Sequence, residues 1–179
     1  MHRAVLRDAQ PADYAAITAL LTGAGLPVDD LSPDDVRWFV VVQTKAGKAA
    51  GRTIVGAGAV QPIGENGLLR SVVVAPALRS GGLGARLVRA LETRAGAAGL
   101  VALYLLTGDA QAFFRTLGYQ TIDRREAPET VRASAQFASI CPSSATCMAR
   151  TLAGAARYPE SIPAGVVATQ RDLEKEKRS

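Results

Sequence analysis

A loop with three glycines follows an apolar segment near the middle of the chain. Residues 72–76 read Val-Val-Val-Ala-Pro, and the loop then leads into a helical pattern. The loop comprises Arg79, Ser80, Gly81, Gly82, Leu83, Gly84 and Ala85. Because glycine leaves the start of the helix without covering side chains, we expect the backbone N–H groups of residues 80–85 to face outward, where the helix dipole adds to their attraction for an anion. The spacing predicts an anion site suited to a pyrophosphate.

Two familiar phosphate-binding motifs fit this loop poorly. A P-loop ends in Gly-Lys-Ser or Gly-Lys-Thr, and no such ending occurs here. A dinucleotide-binding loop needs another glycine three residues after Gly84, where Leu87 stands instead. A dinucleotide-binding loop should also follow the first strand of a parallel sheet, whereas several antiparallel strands are predicted before the loop in this chain.

The first half of the chain predicts two helices and four strands. Apolar residues at helical spacing indicate a helix over residues 11–22, and Ser32 followed by proline indicates a short second helix. Runs rich in Val and Ile predict the strands, which cover residues 4–7, 38–43, 52–62 and 68–74. Polar residues 45–48 fit a hairpin connection, so the second and third strands should be antiparallel.

The second half begins with the pattern of a strand, a helix and a strand. Leucine or alanine recurs every fourth residue from Leu83 to Ala95, which is typical of an amphipathic helix. The apolar run 101–106 fits a strand covered on both faces, and the crossover makes it parallel to strand 68–74. Shorter elements follow, namely helices over residues 109–117 and 127–137 and strands over 119–122 and 145–152.

These elements predict a mixed α/β fold of the α+β type. A length of 179 residues with 48% hydrophobic content suits one domain, which we place at residues 1–152. Residues 153–179 are rich in Gly, Pro and Ala and then in charge, so we expect an extension of uncertain order.

Composition argues against several classes of function. No apolar run approaches membrane length, and the charged N-terminus shows no signal peptide, so we expect a cytoplasmic protein without a membrane partner. The net charge of +5 comes from basic residues scattered among acids, with few aromatic residues to stack on bases, which disfavours nucleic acid. One histidine and two cysteines give no metal pattern.

The loop and the order of the elements resemble the GNAT acyltransferase superfamily. Arg79-x-x-Gly82-x-Gly84 after a strand is similar to its motif A, and residues 112–119 and the remaining elements extend the resemblance over about residues 3–152. The resemblance implies a GNAT fold, with antiparallel N-terminal strands, a parallel βαβ unit and flanking helices, and acetyl-CoA as co-substrate bound by the loop. It implies transfer of an acetyl group to an amine.

The resemblance also assigns roles in the transfer. The strand before the loop splays from its parallel neighbour, so the N–H groups of Val72, Val73 and Val74 should face the pantetheine, and we assign the oxyanion donor to Val73. Phe113 and Phe114 should line the pantetheine channel. Many members place a tyrosine general acid where Phe114 stands, so the thiolate must take its proton from solvent, from the ammonium product or from another donor. A CoA-binding module without catalysis is the alternative.

A narrower resemblance is to the arsenic-resistance N-acetyltransferase family of bacteria. Its residues are 68–76, 103–107, 112–119 and especially 137–148, which contain Cys-Pro-Ser-Ser-Ala. The resemblance implies detoxification by acetylation of a small amino-acid-like amine such as arsinothricin. An ordinary amino acid, a polyamine or a protein amine is the alternative acceptor. Homodimers are frequent in the superfamily, so we expect one here.

Candidate residues for the acceptor site lie on strand 68–74. Strand alternation puts Leu69, Ser71 and Val73 on one face and Arg70, Val72 and Val74 on the other. Ser71 could hold a water that relays the amine proton, or only satisfy a neighbouring strand. Arg70 could pair with a substrate carboxylate or arsenical oxyanion, or form a surface ion pair with Glu65, itself a weaker candidate base.

Three further residues complete the predicted acceptor site. Thr107 ends a strand, where it can contact substrate or pantetheine, or cap the next helix. Cys141 and Ser143 belong to a loop that we expect to close the acceptor pocket. Cys141 could also carry the acyl group as a nucleophile, but no histidine lies nearby in the sequence to activate it. The sequence therefore favours direct transfer of the acetyl group to the amine. A further alternative is that Cys141 and Cys147 form a thiol pair that binds arsenicals.

Overall fold

The structure is a computed structural model that describes residues 4–45 and 52–152. The predicted hairpin connection lies mostly outside these residues, and the predicted extension 153–179 lies wholly outside them. Among the described residues, none of the helices combines the length and the apolar composition that a membrane crossing requires.

The described residues form one mixed sheet of seven strands in the order β1-β2-β3-β4-β5-β7-β6. The strands are β1 (Val5–Asp8), β2 (Phe39–Lys45), β3 (Arg52–Ile63), β4 (Asn66–Val74), β5 (Ala102–Thr107), β6 (Gln120–Ile122) and β7 (Thr146–Thr151). Neighbouring strands pair antiparallel except β4 and β5, which are parallel. The helix Leu83–Ala97 crosses over between β4 and β5 and accounts for this exception, as the sequence predicted.

Helices cover both faces of the sheet. They are α1 (Tyr14–Gly23), α2 (Leu83–Ala97), α3 (Gln111–Thr116) and α4 (Glu129–Arg132). The apolar stripe of α2 packs in the largest buried cluster, where Leu87 and Leu91 meet residues of β2, β3, β4 and β5. Ile17 and Leu21 of α1 pack in a second cluster with Val41 of β2. The sheet therefore lies between two helical layers.

Two predicted helices take a different form. The predicted helix over residues 127–137 is instead α4 followed by a π-type turn, Gln136–Ile140. Ser134 lies between them, and its hydroxyl donates to the carbonyl of Val131 at 2.6 Å, a local bond of the kind that competes with helix continuation. The segment after Ser32 is a 3₁₀ turn, Pro33–Trp38, that Ser32 and Asp35 cap reciprocally.

Strands β4 and β5 separate toward their carboxyl ends. They pair only from Asn66 with Ala102 to Leu68 with Tyr104, which leaves the rest of each strand without its parallel partner. The separation opens a gap beside the loop that precedes α2. The splay that the GNAT resemblance implied is therefore present.

A β-bulge in β4 changes which side chains share a face. Ala57 pairs with Val73 but Ala59 pairs with Arg70, so two residues of β4, Ser71 and Val72, oppose one residue of β3. Ser71 has a φ of 57°, in the left-handed region.

The bulge contradicts the predicted alternation along β4. Leu69 and Val72 both pack in the α2 cluster, whereas Val73 packs in the α1 cluster on the opposite face. The expectation that Leu69 and Val73 share a face is therefore wrong, because strand periodicity does not hold across an inserted residue.

Candidate active site

The loop before α2 presents free backbone N–H groups. Ser80 and Gly82 have φ values of 69° and 73°, and the helix begins at Leu83. The first N–H of α2 with a backbone acceptor is that of Arg86, which donates to the carbonyl of Gly82 at 3.0 Å. Within the described part of the chain, the N–H groups of residues 80–85 have no hydrogen-bond acceptor. These groups can therefore bind an anion, as predicted.

Glycine keeps the space over this helix start open. A Cβ atom at Gly82 would meet no heavy atom within 4 Å, and its positive φ is one that other residues adopt at a cost. At Gly84 a Cβ would lie 3.4 Å from Cζ of Phe113, so the missing side chain lets the phenyl ring approach the first turn. Arg79 donates from Nε to the carbonyl of Val74 at 3.0 Å, which ties the loop to β4.

The backbone direction along β4 identifies which residues face the gap. Val73 pairs with Ala57, and Ala75 donates its N–H to Val55 at 2.8 Å, so the polar backbone groups of both face β3. The Val73 N–H therefore does not face the gap, which contradicts its predicted role as oxyanion donor. Val74 faces the other way, and its carbonyl is free to accept from Arg79.

A cavity of about 530 Å³ lies where β4 and β5 diverge. Its walls come from the loop after α1, the ends of both strands, the start of α3 and the loop before β7. The chemically active side chains in its lining are Arg70, Ser71, Thr107, Asp109, Cys141 and Ser144, and Val72 and Phe114 add apolar surface. The fold thus gathers Arg70, Ser71, Thr107 and Cys141, four of the predicted site residues, around one space.

Arg70 is held by Asp30, which the sequence analysis did not single out. Its Nη1 and Nη2 donate to the two carboxylate oxygens of Asp30, each at 2.6 Å. The side chains are 8% and 15% exposed, so the ion pair is shielded from solvent. The surface pair with Glu65 that the sequence allowed does not form, because Glu65 lies in the turn before β4, at the end where β4 and β5 remain paired.

Asp30 also accepts a hydrogen bond from Gln136, whose Nε2 lies 2.9 Å from Oδ2. Burial by itself would raise the pKa of Asp30, but the hydrogen bonds from Arg70 and Gln136 outweigh it and hold the pKa below its usual value. The carboxylate is therefore ionised at neutral pH.

Ser71 and Thr107 both reach the cavity, and each also has a structural contact. The Ser71 hydroxyl lies 3.4 Å from Nε of Arg70, a long and weak hydrogen bond. The Thr107 hydroxyl accepts a hydrogen bond from the N–H of Ala110 at 3.0 Å, at the start of α3. Capping of this turn was one of the two roles predicted for Thr107.

The two cysteines occupy different surroundings. Cys141 lines the cavity and donates from Sγ to Oε1 of Gln136 at 3.1 Å, and burial raises its pKa. Cys147 on β7 is buried in a third apolar cluster, and burial raises its pKa to about 11. Ser143 is exposed and does not line the cavity, in contrast to its predicted role; Ser144 does.

Phe113 and Phe114 pack edge to face, with ring centroids 5.1 Å apart. Phe114 is buried in the α2 cluster and lines the cavity, while Phe113 contacts the first turn of α2. The two rings therefore connect the anion loop with the cavity. This position suits the predicted pantetheine channel.

Sequence reasoning missed Asp109, an exposed residue that lines the cavity just after β5. It is the one carboxylate among the lining residues, so it can accept a proton or attract an ammonium group. Its place after the strand that splays from β4 was the available signal, because functional residues often follow the carboxyl ends of parallel strands.

Residues 34–121 match the family model described as the acetyltransferase (GNAT) domain. None of the curated proteins gives a significant sequence match. These residues include the splayed strands, the glycine loop before α2 and the whole of α3.

Many solved structures share the fold. N-acetylglutamate synthase from Neisseria gonorrhoeae, complexed with coenzyme A and N-acetyl-glutamate, has a TM-score of 0.70 and 21% identity, over 84% of this chain and 35% of that one. Rv2747 from Mycobacterium tuberculosis, in complex with CoA and NLQ, has a TM-score of 0.67 and 25% identity, over 83% of this chain and 99% of that one. A GNAT-family acetyltransferase from Staphylococcus aureus Mu50 has a TM-score of 0.63 and 15% identity, over 84% and 100% of the two chains.

The alignment spans about a third of the synthase chain, and none of these matches bears on the narrower resemblance to the arsenic-resistance family. The family match, the sheet order and the splayed strands agree with one another. The match over residues 34–121 and the shared fold therefore support the N-acetyltransferase class that the sequence predicted.

Proposed function

We propose that this chain is an acetyl-CoA-dependent N-acetyltransferase that acts on the amine of a small amino-acid-like acceptor. The observation that carries the proposal is the cavity between β4 and β5, which holds Arg70 and Asp109 and adjoins the anion loop through Phe113 and Phe114. Such a site can bring together a thioester, an amine, an anion-binding group and a proton acceptor.

The loop before α2 would bind the pyrophosphate of CoA through its free N–H groups. The CoA complexes of the two neighbouring structures support this assignment. Arg79 and Arg86 line an adjoining groove of about 530 Å³ and add positive charge for the phosphates. Pantetheine would then pass along the Phe113 and Phe114 rings toward the cavity.

Transfer would proceed by direct attack within the ternary complex. The neutral amine attacks the thioester carbonyl, the new C–N bond forms, and negative charge develops on the carbonyl oxygen. Val72 replaces Val73 as our candidate oxyanion donor, because Val72 lines the cavity. Losing one such donor typically costs about 100- to 1,000-fold in rate.

Collapse of the intermediate breaks the C–S bond, and the departing thiolate takes a proton. Phe114 offers no phenol for this step, so the proton comes from solvent or from the ammonium formed on the acceptor. When solvent protonates the thiolate, the proton on the acceptor nitrogen needs its own acceptor, for which Asp109 is our candidate and a water held by Ser71 is the second route.

Arg70 would bind the anionic group of the acceptor, as it is the one basic side chain in the cavity lining. A carboxylate or an arsenical oxyanion has the oxygens that this role requires. Within this class we propose an arsenical glutamate analogue such as arsinothricin as the natural acceptor, on the basis of residues 137–148 and their neighbours. The alternatives are an ordinary amino acid, a polyamine or a protein amine.

The test is thiol release by the purified chain from acetyl-CoA with a panel of amines: arsinothricin, L-glutamate, L-glutamine, spermidine and a peptide amine. We expect release with the amino-acid-like acceptors and little with spermidine. Release without arsinothricin turnover would reject that acceptor alone. Thermal stabilisation by CoA with no turnover on any amine would reject the enzyme and favour a CoA-binding module.

A further inference from the structure

We propose that Asp30 is a positioning residue for the acceptor: it holds the Arg70 guanidinium so that one edge, formed by Nε and Nη2, faces the cavity and receives a carboxylate. This inference rests on the proposed function. The inference adds to the proposed function a residue outside the cavity that decides how the acceptor is oriented.

The hydrogen bonds of Arg70 leave one edge of the guanidinium available. A guanidinium has five N–H donors, and those between Nη1 and Nη2 are occupied by the two 2.6 Å bonds to Asp30. A second contact of Nη1 goes to Oε1 of Gln61 at 3.4 Å. On the adjacent edge, Nε has only the 3.4 Å contact to Ser71, and the second N–H of Nη2 has no acceptor among the described residues.

The contact of Nε with Ser71, which lines the cavity, directs the available edge toward the cavity. Arg70 and Ser71 both line the cavity, whereas Asp30 does not. Asp30 therefore holds the guanidinium from outside the cavity lining. A carboxylate that enters can accept two parallel hydrogen bonds from Nε and Nη2, in the bidentate geometry that arginine favours.

Asp30 is itself fixed in place, so it can fix Arg70. Its Oδ2 accepts from Nε2 of Gln136 at 2.9 Å, and Oε1 of the same buried amide accepts from Cys141 at 3.1 Å. The chain of contacts connects the loop after α1 with the turn before β7. Both oxygens of Asp30 are thus engaged, and little freedom remains for the guanidinium.

Because the charges of Arg70 and Asp30 cancel, the main contribution of the pair to acceptor binding is orientation. Because Asp30 neutralises Arg70, the pair exerts little long-range attraction on an anion, and affinity must come from the directed hydrogen bonds. In an α-amino acid the amine is one carbon from the carboxylate. Fixing the carboxylate therefore fixes the amine relative to the thioester.

The experiment measures kcat and KM of wild type, Asp30→Asn and Asp29→Asn with two matched acceptors. L-glutamine carries the α-carboxylate, and 4-aminobutanamide is the same molecule without it. Asp29 is exposed in the same loop and controls for the loss of one negative charge there. Thermal unfolding and CoA affinity of each variant report on folding and on the cofactor site.

In wild type we expect L-glutamine to be preferred. In Asp30→Asn that preference should fall about 10- to 100-fold, mainly through kcat, because asparagine offers one acceptor oxygen instead of two, so the guanidinium can turn and displace the bound carboxylate and its amine. Turnover of 4-aminobutanamide and CoA affinity should stay unchanged, and Asp29→Asn should behave as wild type. Should Asp30→Asn fail to fold, Asp30→Glu keeps the charge but moves the guanidinium, and the same loss of preference is expected.

Equal losses on both acceptors, in step with lower thermal stability, would show that Asp30 is only structural. No wild-type preference for L-glutamine over 4-aminobutanamide would also overturn the inference, while leaving the N-acetyltransferase intact. Absence of turnover on every amine, with CoA still bound, would instead reject the proposed function, and the inference with it.

Discussion

Arg70 on β4 and Asp30 in the loop after α1 are 40 residues apart in sequence and are joined by two hydrogen bonds of 2.6 Å. The pair joins the loop after α1 to the strand that borders the cavity. Breaking a largely buried ion pair by removing one partner typically costs about 3–5 kcal/mol, so the pair is expected to matter for stability as well as for orientation.

Acid should weaken the protein partly through Asp30. Because the folded state holds the pKa of Asp30 below its unfolded value, this carboxylate stabilises the fold above the unfolded pKa of about 3.9, and the contribution is lost as pH falls through the lower folded pKa. We expect the free energy of unfolding of wild type to fall more steeply below about pH 4 than that of Asp30→Asn. Urea unfolding at pH 7, 5, 4 and 3 measures the free energy of unfolding of both proteins. If the two free energies fall in parallel with pH, the prediction is wrong.

Gly82 should be needed for CoA binding rather than for folding alone. Gly82→Leu places a side chain in the open space over the start of α2, and we expect the Kd for CoA to rise at least about tenfold, which corresponds to about 1.4 kcal/mol. Calorimetry with CoA measures the effect.

Gly64→Leu is the matched control, because Gly64 also has a positive φ of 61° and open space around its missing Cβ but lies in the β3–β4 turn. Both variants should lose similar stability, about 1–2 kcal/mol, from the left-handed backbone. Similar CoA affinities for the two variants would mean that the loop does not hold the pyrophosphate.

Asp109 should act in the chemical step. We expect Asp109→Asn to lower kcat about 100-fold with CoA affinity unchanged, because the amide cannot accept the amine proton. Asp34→Asn, which changes an exposed carboxylate that does not line the cavity, should match wild type. A kcat within about threefold of wild type for Asp109→Asn would transfer the role to the Ser71 water route.

The two cysteines should differ in reactivity. At pH 8 we expect Cys147 to resist alkylation in the folded protein, because it is buried and its pKa is raised to about 11, and Cys141 to react slowly. Both should react in urea, and Cys141→Ser should remove the reaction of the folded protein. Mass spectrometry counts the labels, and protection of both thiols by a trivalent arsenical would support the alternative thiol pair.

The sequence located the parts of this site that depend on local spacing. The anion loop of Gly82 and Gly84 and the amphipathic repeat of α2 were recognisable because turn glycines and helical periodicity are local properties of a chain. The parallel pairing of β4 and β5 followed from the crossover between them.

The β-bulge at Ser71 and Val72 was not predictable in this way. Strand periodicity assumes a continuous alternation, and nothing in the run 68–74 marks where a residue is inserted. The alternation therefore placed Leu69 and Val73 on one face, whereas they pack on opposite faces. Ser143 was misplaced for a related reason, since the direction of a loop side chain depends on how the loop closes over the sheet.

By itself the sequence determined the succession of a strand, a glycine loop and a helix on a mixed sheet, because those properties follow from spacing along the chain. Only the tertiary structure decided that Asp30 meets Arg70 and that Asp109 enters the cavity, since packing rather than sequence order brings distant loops together.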